Sequence, residues 1–172
     1  KPFSEGWAAS LSVTGSHATE VNPGTSSQAT SNFSNSVWYN PNEDVASTSN
    51  INVPLRVNAS VAWSHNFFGN YATTISAFYD GHTGAPYSWV FGNDANGDSY
   101  SRDLVFVPQP GQVIIKAPTQ AQAAQLEQQF YSFINSDDYL RSRQGKVVRR
   151  NGAKTAWVNQ LDLSFSQEVP GI

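Results

Sequence analysis

Cysteine and methionine are both absent from the 172 residues, and charge is scarce. Without cysteine there is no disulfide framework and no thiolate metal or redox site, a composition compatible with a cell-envelope protein. Charged residues make up 13% of the chain, against about 25% in ordinary soluble domains. The formal net charge of −3 gives no overall attraction to nucleic acid, so nucleic acid is not an expected partner. No run of 18 apolar residues occurs, which excludes a helical membrane span.

What is present is alternation. Trp7, Ala9, Leu11 and Val13 alternate with Gly6, Ala8, Ser10, Ser12 and Thr14; Leu55, Val57, Ala59, Val61 and Trp63 alternate with Arg56, Asn58, Ser60, Ala62 and Ser64. Trp157, Leu161, Leu163 and Phe165 alternate with Val158, Gln160, Asp162, Ser164 and Ser166, and Tyr71, Thr73, Ile75, Ala77 and Tyr79 give a weaker fourth case. A period of two means strands with one apolar and one polar face. Soluble sheets usually show Lys and Glu to water, whereas these polar faces are mostly Ser, Asn, Thr, Gln and Gly. That is how the lumen side of an outer-membrane barrel strand reads, with lipid on the other side.

The connections support the same topology. About 40 residues separate the first two runs, only Asn66 to Asn70 separate the second and third, and about 75 separate the third and fourth. Outer-membrane barrels keep short turns on the periplasmic side and long loops outside. The expected fold is all-β and antiparallel, with strands near 6–14, 54–66, 71–80 and 156–168 and long loops over 15–53 and 81–155. Each run is near the length that a tilted strand needs to cross the hydrocarbon. Four strands cannot close, and open edges in lipid leave backbone groups unsatisfied. Residues 1–172 are therefore expected to be a fragment of one larger barrel domain. A single soluble domain is the competing structure for a chain of this length.

The first long loop, Gly15 to Val53, is rich in Ser, Thr and Asn, contains Pro23-Gly24 and Asn40-Pro41-Asn42, and shows no helical period. The second contains short strand-like runs at Pro86–Phe91 and Leu104–Val107. Thr119 is placed to cap a helix through Ala121, Ala123, Ala124, Leu126, Phe130 and Phe133-Ile134, and Ser136-Asp137-Asp138 to cap a second ending near Gly145.

Asp94, Asn96, Asp98 and Asp103 place side-chain oxygens at intervals around Gly97, which suits a hard cation such as calcium. Glycine sits fourth instead of sixth, and Val105 holds the position of the bidentate Glu, so the pattern departs from the helix-loop-helix calcium loop. The same residues suit a tight turn on backbone grounds alone. Arg141, Arg143, Lys146, Arg149 and Arg150 hold half of the Lys and Arg within ten residues; on an outward loop they could meet lipopolysaccharide phosphates or an anionic ligand, or remain a solvated face. His17, His65 and His82 have no ligand spacing. No G-x-S-x-G, S-x-x-K or phosphate-binding glycine loop is present, so no enzymatic activity is expected. Loop aromatics Trp38, Tyr39, Tyr87 and Trp89 are the candidates for substrate contact.

Trp63, Phe67, Phe68 and Tyr71 cluster at the short turn, and Phe78, Tyr79 and Tyr87 lie at the other end of the third run, as interfacial aromatic girdles would. The ordered series Gly6-Trp7, Pro54-Leu55-Arg56, Phe78-Tyr79-Asp80-Gly81-His82-Thr83-Gly84-Ala85-Pro86-Tyr87-Ser88, Asn93-Asp94-Ala95-Asn96-Gly97-Asp98, Asp103-Leu104-Val105-Phe106-Val107-Pro108, Arg150-Asn151 and Trp157-Val158-Asn159-Gln160-Leu161-Asp162-Leu163 resembles the C-terminal barrel region of TonB-dependent outer-membrane transporters of the Oar-like type. The resemblance covers nearly the whole chain. It implies a barrel of about 22 strands, location in the bacterial outer membrane, partnership with TonB through a plug region not matched here, and peptide, protein or glycan substrates. A soluble, secreted β-sandwich that binds carbohydrate or a cell surface through Trp38, Tyr39, Trp89 and the acidic loop, stabilised by calcium, is the alternative function.

Overall fold

The four alternating segments pair with one another in a computed structural model that describes residues 5–38, 40 and 44–170. In chain order the strands are β1 (Trp7–Gly15), β2 (Thr19–Glu20), β3 (Ser47–Thr48), β4 (Leu55–Phe68), β5 (Tyr71–His82), β6 (Pro86–Tyr87), β7 (Phe106–Val107), β8 (Lys146–Val147), β9 (Ala153–Lys154) and β10 (Val158–Gln167). The helices are α1 (Ala29–Asn35), α2 (Gln120–Ser136) and α3 (Asp138–Ser142). The chain is thus mostly β with antiparallel pairing. Contacts divide it into two compact units, one of Lys1–His17, Ile51–Ala85 and Thr155–Ile172, the other of Ala18–Asn50 and Pro86–Lys154.

The first unit is a four-stranded antiparallel meander in the order β1-β4-β5-β10. It is open, with the outer edges of β1 and β10 unpaired among the described residues. Residues directly opposite in an antiparallel pair point to the same face. Apart from Phe68–Tyr71 beside the turn, every pairing here joins odd to odd or even to even: Ala9 faces Val61, Val61 faces Ala77, and Ala77 faces Leu163. The four separate alternations in the sequence therefore merge into one continuous apolar face. β4 and β5 turn at Gly69 and Asn70, where Gly69 adopts φ +66°, a conformation that favours glycine. The register shifts once, between His65 and Phe68. β4 and β5 each run two residues beyond the ends read from the sequence.

The second unit holds the packed core. Leu104, Val107, Ile134, Leu140 and Val148 cluster there, with Trp89, Tyr131 and Tyr139 against them. The two-stranded ladders β2-β3, β6-β9 and β7-β8, together with the bridge Val90–Leu104, bring distant segments into contact. Both expected helix starts are present: Thr119 Oγ1 accepts from Gln122 N at 3.2 Å, and Asp137 Oδ1 from Leu140 N at 2.8 Å. The strand-like run at Pro86–Phe91 is shorter than expected, reduced to β6 and the single bridge.

One expectation for the first long loop needs correction. It contains α1, seven residues with no side-chain cap at its N-terminus, in a stretch with no helical period. Tertiary contacts override local preference there. Phe33 of α1 packs on Trp38 and Tyr100 at ring separations of 5.4 and 6.4 Å, and Asn32 donates from Nδ2 to Ser26 O at 2.7 Å.

Candidate functional site

The sheet of the first unit has two faces of opposite chemistry, and neither hides a core. Every buried hydrophobic side chain among the described residues belongs to the second unit. On the apolar face the rungs are Trp7-Trp63-Ile75-Phe165, Ala9-Val61-Ala77-Leu163 and Leu11-Ala59-Tyr79-Leu161. Leu11 is 73% exposed, Leu163 76% and Phe165 70%. Soluble monomers rarely leave a contiguous apolar patch of this extent uncovered.

Aromatic rings gather at the turn end of this face. Trp7 lies 6.1 Å from Trp63, and Trp63 lies 5.8 Å from His65 and 5.7 Å from Phe67. At the other end Tyr79 Oη donates to Asn159 Oδ1 at 2.7 Å and accepts from Trp157 Nε1 at 3.4 Å. Phe78, grouped with Tyr79 in the sequence, points to the opposite face, because it pairs with Ser60 and Asp162.

The polar face carries the rungs Ser12-Asn58-Asp80-Gln160, Ser10-Ser60-Phe78-Asp162 and Ala8-Ala62-Ser76-Ser164. Ser10 and Ser60 share a hydroxyl–hydroxyl contact of 2.6 Å. Near the β4 start, Asp80 takes Arg56 Nη1 at 3.5 Å and His82 Nδ1 at 2.7 Å. Sequence reasoning left His82 without a role and did not pair Arg56 with Asp80. Both partners are on the even phase, but the register shift near the turn hides which rungs meet.

In the second unit, the acidic loop closes on its own backbone. Asp94 accepts from Gly97 N at 2.6 Å, Asp98 N at 3.2 Å and Ser99 N at 2.9 Å. These bonds, the one from Ser99 foremost, hold the Asp94 carboxyl below its ordinary pKa. Asp103 accepts from the backbone N–H groups of Ala95 and Asn96 and from Asn96 Nδ2; Asp98 accepts from Asn96 Nδ2 and from Tyr100 N. Among the described residues no three His, Asp or Glu side chains are grouped to hold a metal ion. The carboxylates here accept from peptide N–H groups and from the Asn96 side-chain amide.

The basic cluster divides. Arg141, Lys146 and Arg149 are exposed, and Arg141 pairs with Asp138. Arg143 donates to Val147 O. Arg150 corrects the expectation of a surface contact for anions: it is 7% exposed, donates from Nη1 to Val21 O at 2.6 Å and from Nη2 to Glu20 O, and lies 5.8 Å over the Trp38 ring. Burial pushes its pKa below the usual arginine value.

Trp38, Tyr87 and Trp89 are each half-buried. Trp38 Nε1 donates to Phe33 O at 3.0 Å. Trp89 meets Tyr87 and Phe133 edge-on at 5.8 and 5.7 Å. Desolvation, and then the charge of Asp137, raise the Tyr87 pKa. Tyr39 lies outside the described residues. No family model, curated protein or solved structure matches the chain.

Proposed function

We propose that the chain is a section of the wall of an outer-membrane β-barrel, part of a TonB-dependent receptor of the Oar-like type, and that it works by binding and passage and not by catalysis. One observation carries the reading: four paired strands present one apolar face with large exposed side chains along it, in a unit with no buried hydrophobic side chain among the described residues. Lipid is the solvent that makes such a face stable, and a barrel is the arrangement that satisfies the free edges of β1 and β10 by adding strands. The small polar opposite face then lines a lumen.

The dimensions agree. Tyr71 and Tyr79 stand eight residues apart, about 27 Å along a strand at 3.4 Å per residue. A tilt near 40° reduces that to about 21 Å along the bilayer normal, close to the ~25 Å apolar band of such barrels. The second unit, formed from the two long connections, is the extracellular part that captures or occludes substrate, beside the outer-leaflet lipopolysaccharide. A soluble β-sandwich would bury this apolar face, whereas Leu11, Leu163 and Phe165 on it are exposed.

Single-cysteine labelling in the intact protein in lipid tests this reading. A membrane-impermeant thiol reagent reacts at Ser60→Cys and Ser164→Cys, and spin labels at Val61 and Leu163 report hydrocarbon. Water at Val61 and Leu163 with a dry environment at Ser60 and Ser164 overturns it.

A further inference from the structure

Phe78 is out of place on the polar face. Its neighbours there are Ser60 and Asp162 across the strands and Ser76 and Asp80 along its own, and Phe78 is 43% exposed, so packing does not account for it. It borders a hollow of about 320 Å³ lined on that face by Ser10, Ser60, Ser76, Asp162 and Ser164. The volume falls at the lower end of small-ligand sites.

The one carboxylate lining this hollow lacks a charged donor. Asp162 lies directly across from Phe78, and among the described residues its oxygens receive only the Gln160 amide, at 3.1 and 3.4 Å, and no salt bridge. One rung along, the buried Asn58 Oδ1 has no hydrogen-bond partner among the described residues. The nearby cation on this face, Arg56, is held by Asp80. A carboxylate beside the face of an aromatic ring attracts an organic cation, by direct charge pairing on one side and by the ring quadrupole on the other. The serine hydroxyls can accept the remaining N–H groups of such a ligand.

We infer that the Phe78–Asp162 hollow is a subsite for an organic cation, an ammonium or guanidinium group such as a lysine or arginine side chain of a peptide. The inference rests on the polar face lining a lumen, and it narrows the substrate to a ligand carrying positive charge. Neutral glycan is the competing occupant, because an aromatic ring among hydroxyls also suits sugars.

Titration of the intact protein in lipid with tri-lysine, its fully acetylated form and maltotriose decides the matter. Tri-lysine binds, and the acetylated peptide and maltotriose do not. Asp162→Asn weakens tri-lysine binding about tenfold and Phe78→Leu about fivefold, while Arg149→Gln, outside the hollow, has no effect. Binding of maltotriose that is lost in the same two variants assigns the hollow to glycan and overturns the cation. Tri-lysine binding that is absent, or unchanged by both variants, overturns the subsite, and water access at Ser60→Cys in the same preparation shows that the barrel reading survives. A Ser60→Cys that no aqueous reagent reaches overturns both.

Discussion

Tyr79 reclines over Gly81 on the apolar face, so closely that a Cβ at Gly81 would lie 2.7 Å from Tyr79 Cζ. The missing side chain lets the ring lie along the sheet, where its hydroxyl reaches Asn159 on the neighbouring strand β10. Gly81→Val forces the ring away and costs about 1–3 kcal/mol by overpacking. In a Tyr79→Ala background the same substitution is mild, because the obstacle is gone. Denaturant unfolding of the four proteins in a double-mutant cycle measures the coupling; costs that simply add would separate the two residues.

The two faces of the sheet respond oppositely to charge. Leu163→Arg, on the rung Ala9-Val61-Ala77-Leu163, is expected to cost about 2–4 kcal/mol near the bilayer centre. Ser164→Arg, one residue along and on the other face, is tolerated. Reversible unfolding from lipid vesicles compares the two, and equal costs would mean that both faces see the same solvent.

These expectations show how far the chain is legible as a sequence. Period-two alternation revealed all four long strands and their phase, because burial of one face dictates residue choice at every second position. The β4–β5 register was not legible. Counting back from Gly69-Asn70 pairs Phe68 with Tyr71 and would bring odd residues opposite even ones; the shift between His65 and Phe68 restores odd-to-odd pairing. Phe78 was misplaced for a related reason, since adjacent aromatics at a strand end suggest one girdle until the phase of each is followed. In the second unit capping residues marked α2 and α3, but α1 leans on Tyr100 from a distant segment and Arg150 on Glu20 and Val21 more than a hundred residues away, contacts that no local pattern encodes.

The acidic loop should depend on pH in one direction. The Asp94 carboxyl, stabilised as the anion first by Ser99 N–H and then by Gly97 and Asp98, has a folded pKa below its unfolded value. Its contribution is present above the ordinary carboxylate range and is lost as pH falls through the lower, folded value. Proteolytic nicking between Gly92 and Leu104 is therefore flat from about pH 8 to about pH 4 and rises below that, and Asp94→Ala raises it at neutral pH. A chelator that leaves the neutral-pH rate unchanged assigns the order of the loop to these peptide N–H bonds alone. Nicking that a chelator accelerates and calcium reverses would make the loop a cation site.

Arg150 and Arg149 are neighbours with unequal roles. The Arg150 guanidinium reaches Glu20 and Val21 across the sequence and stacks on Trp38, so it ties the segment Ala18–Asn50 to the rest of its unit. Removing it leaves two carbonyls without their donor. Charged hydrogen bonds contribute about 1.5–3 kcal/mol each, and Arg150→Ala is expected to destabilise the second unit by about 3 kcal/mol or more. Arg150→Lys should recover little of this, because an ammonium cannot place two donors in a planar fork or stack its face on the indole. Arg149→Ala, at an exposed side chain, should stay within about 0.5 kcal/mol. Protease resistance and thermal unfolding of the intact protein give the comparison. If Arg149→Ala proves as costly as Arg150→Ala, the basic cluster acts as one charged surface and the staple through Glu20 and Val21 is not what holds the first long loop.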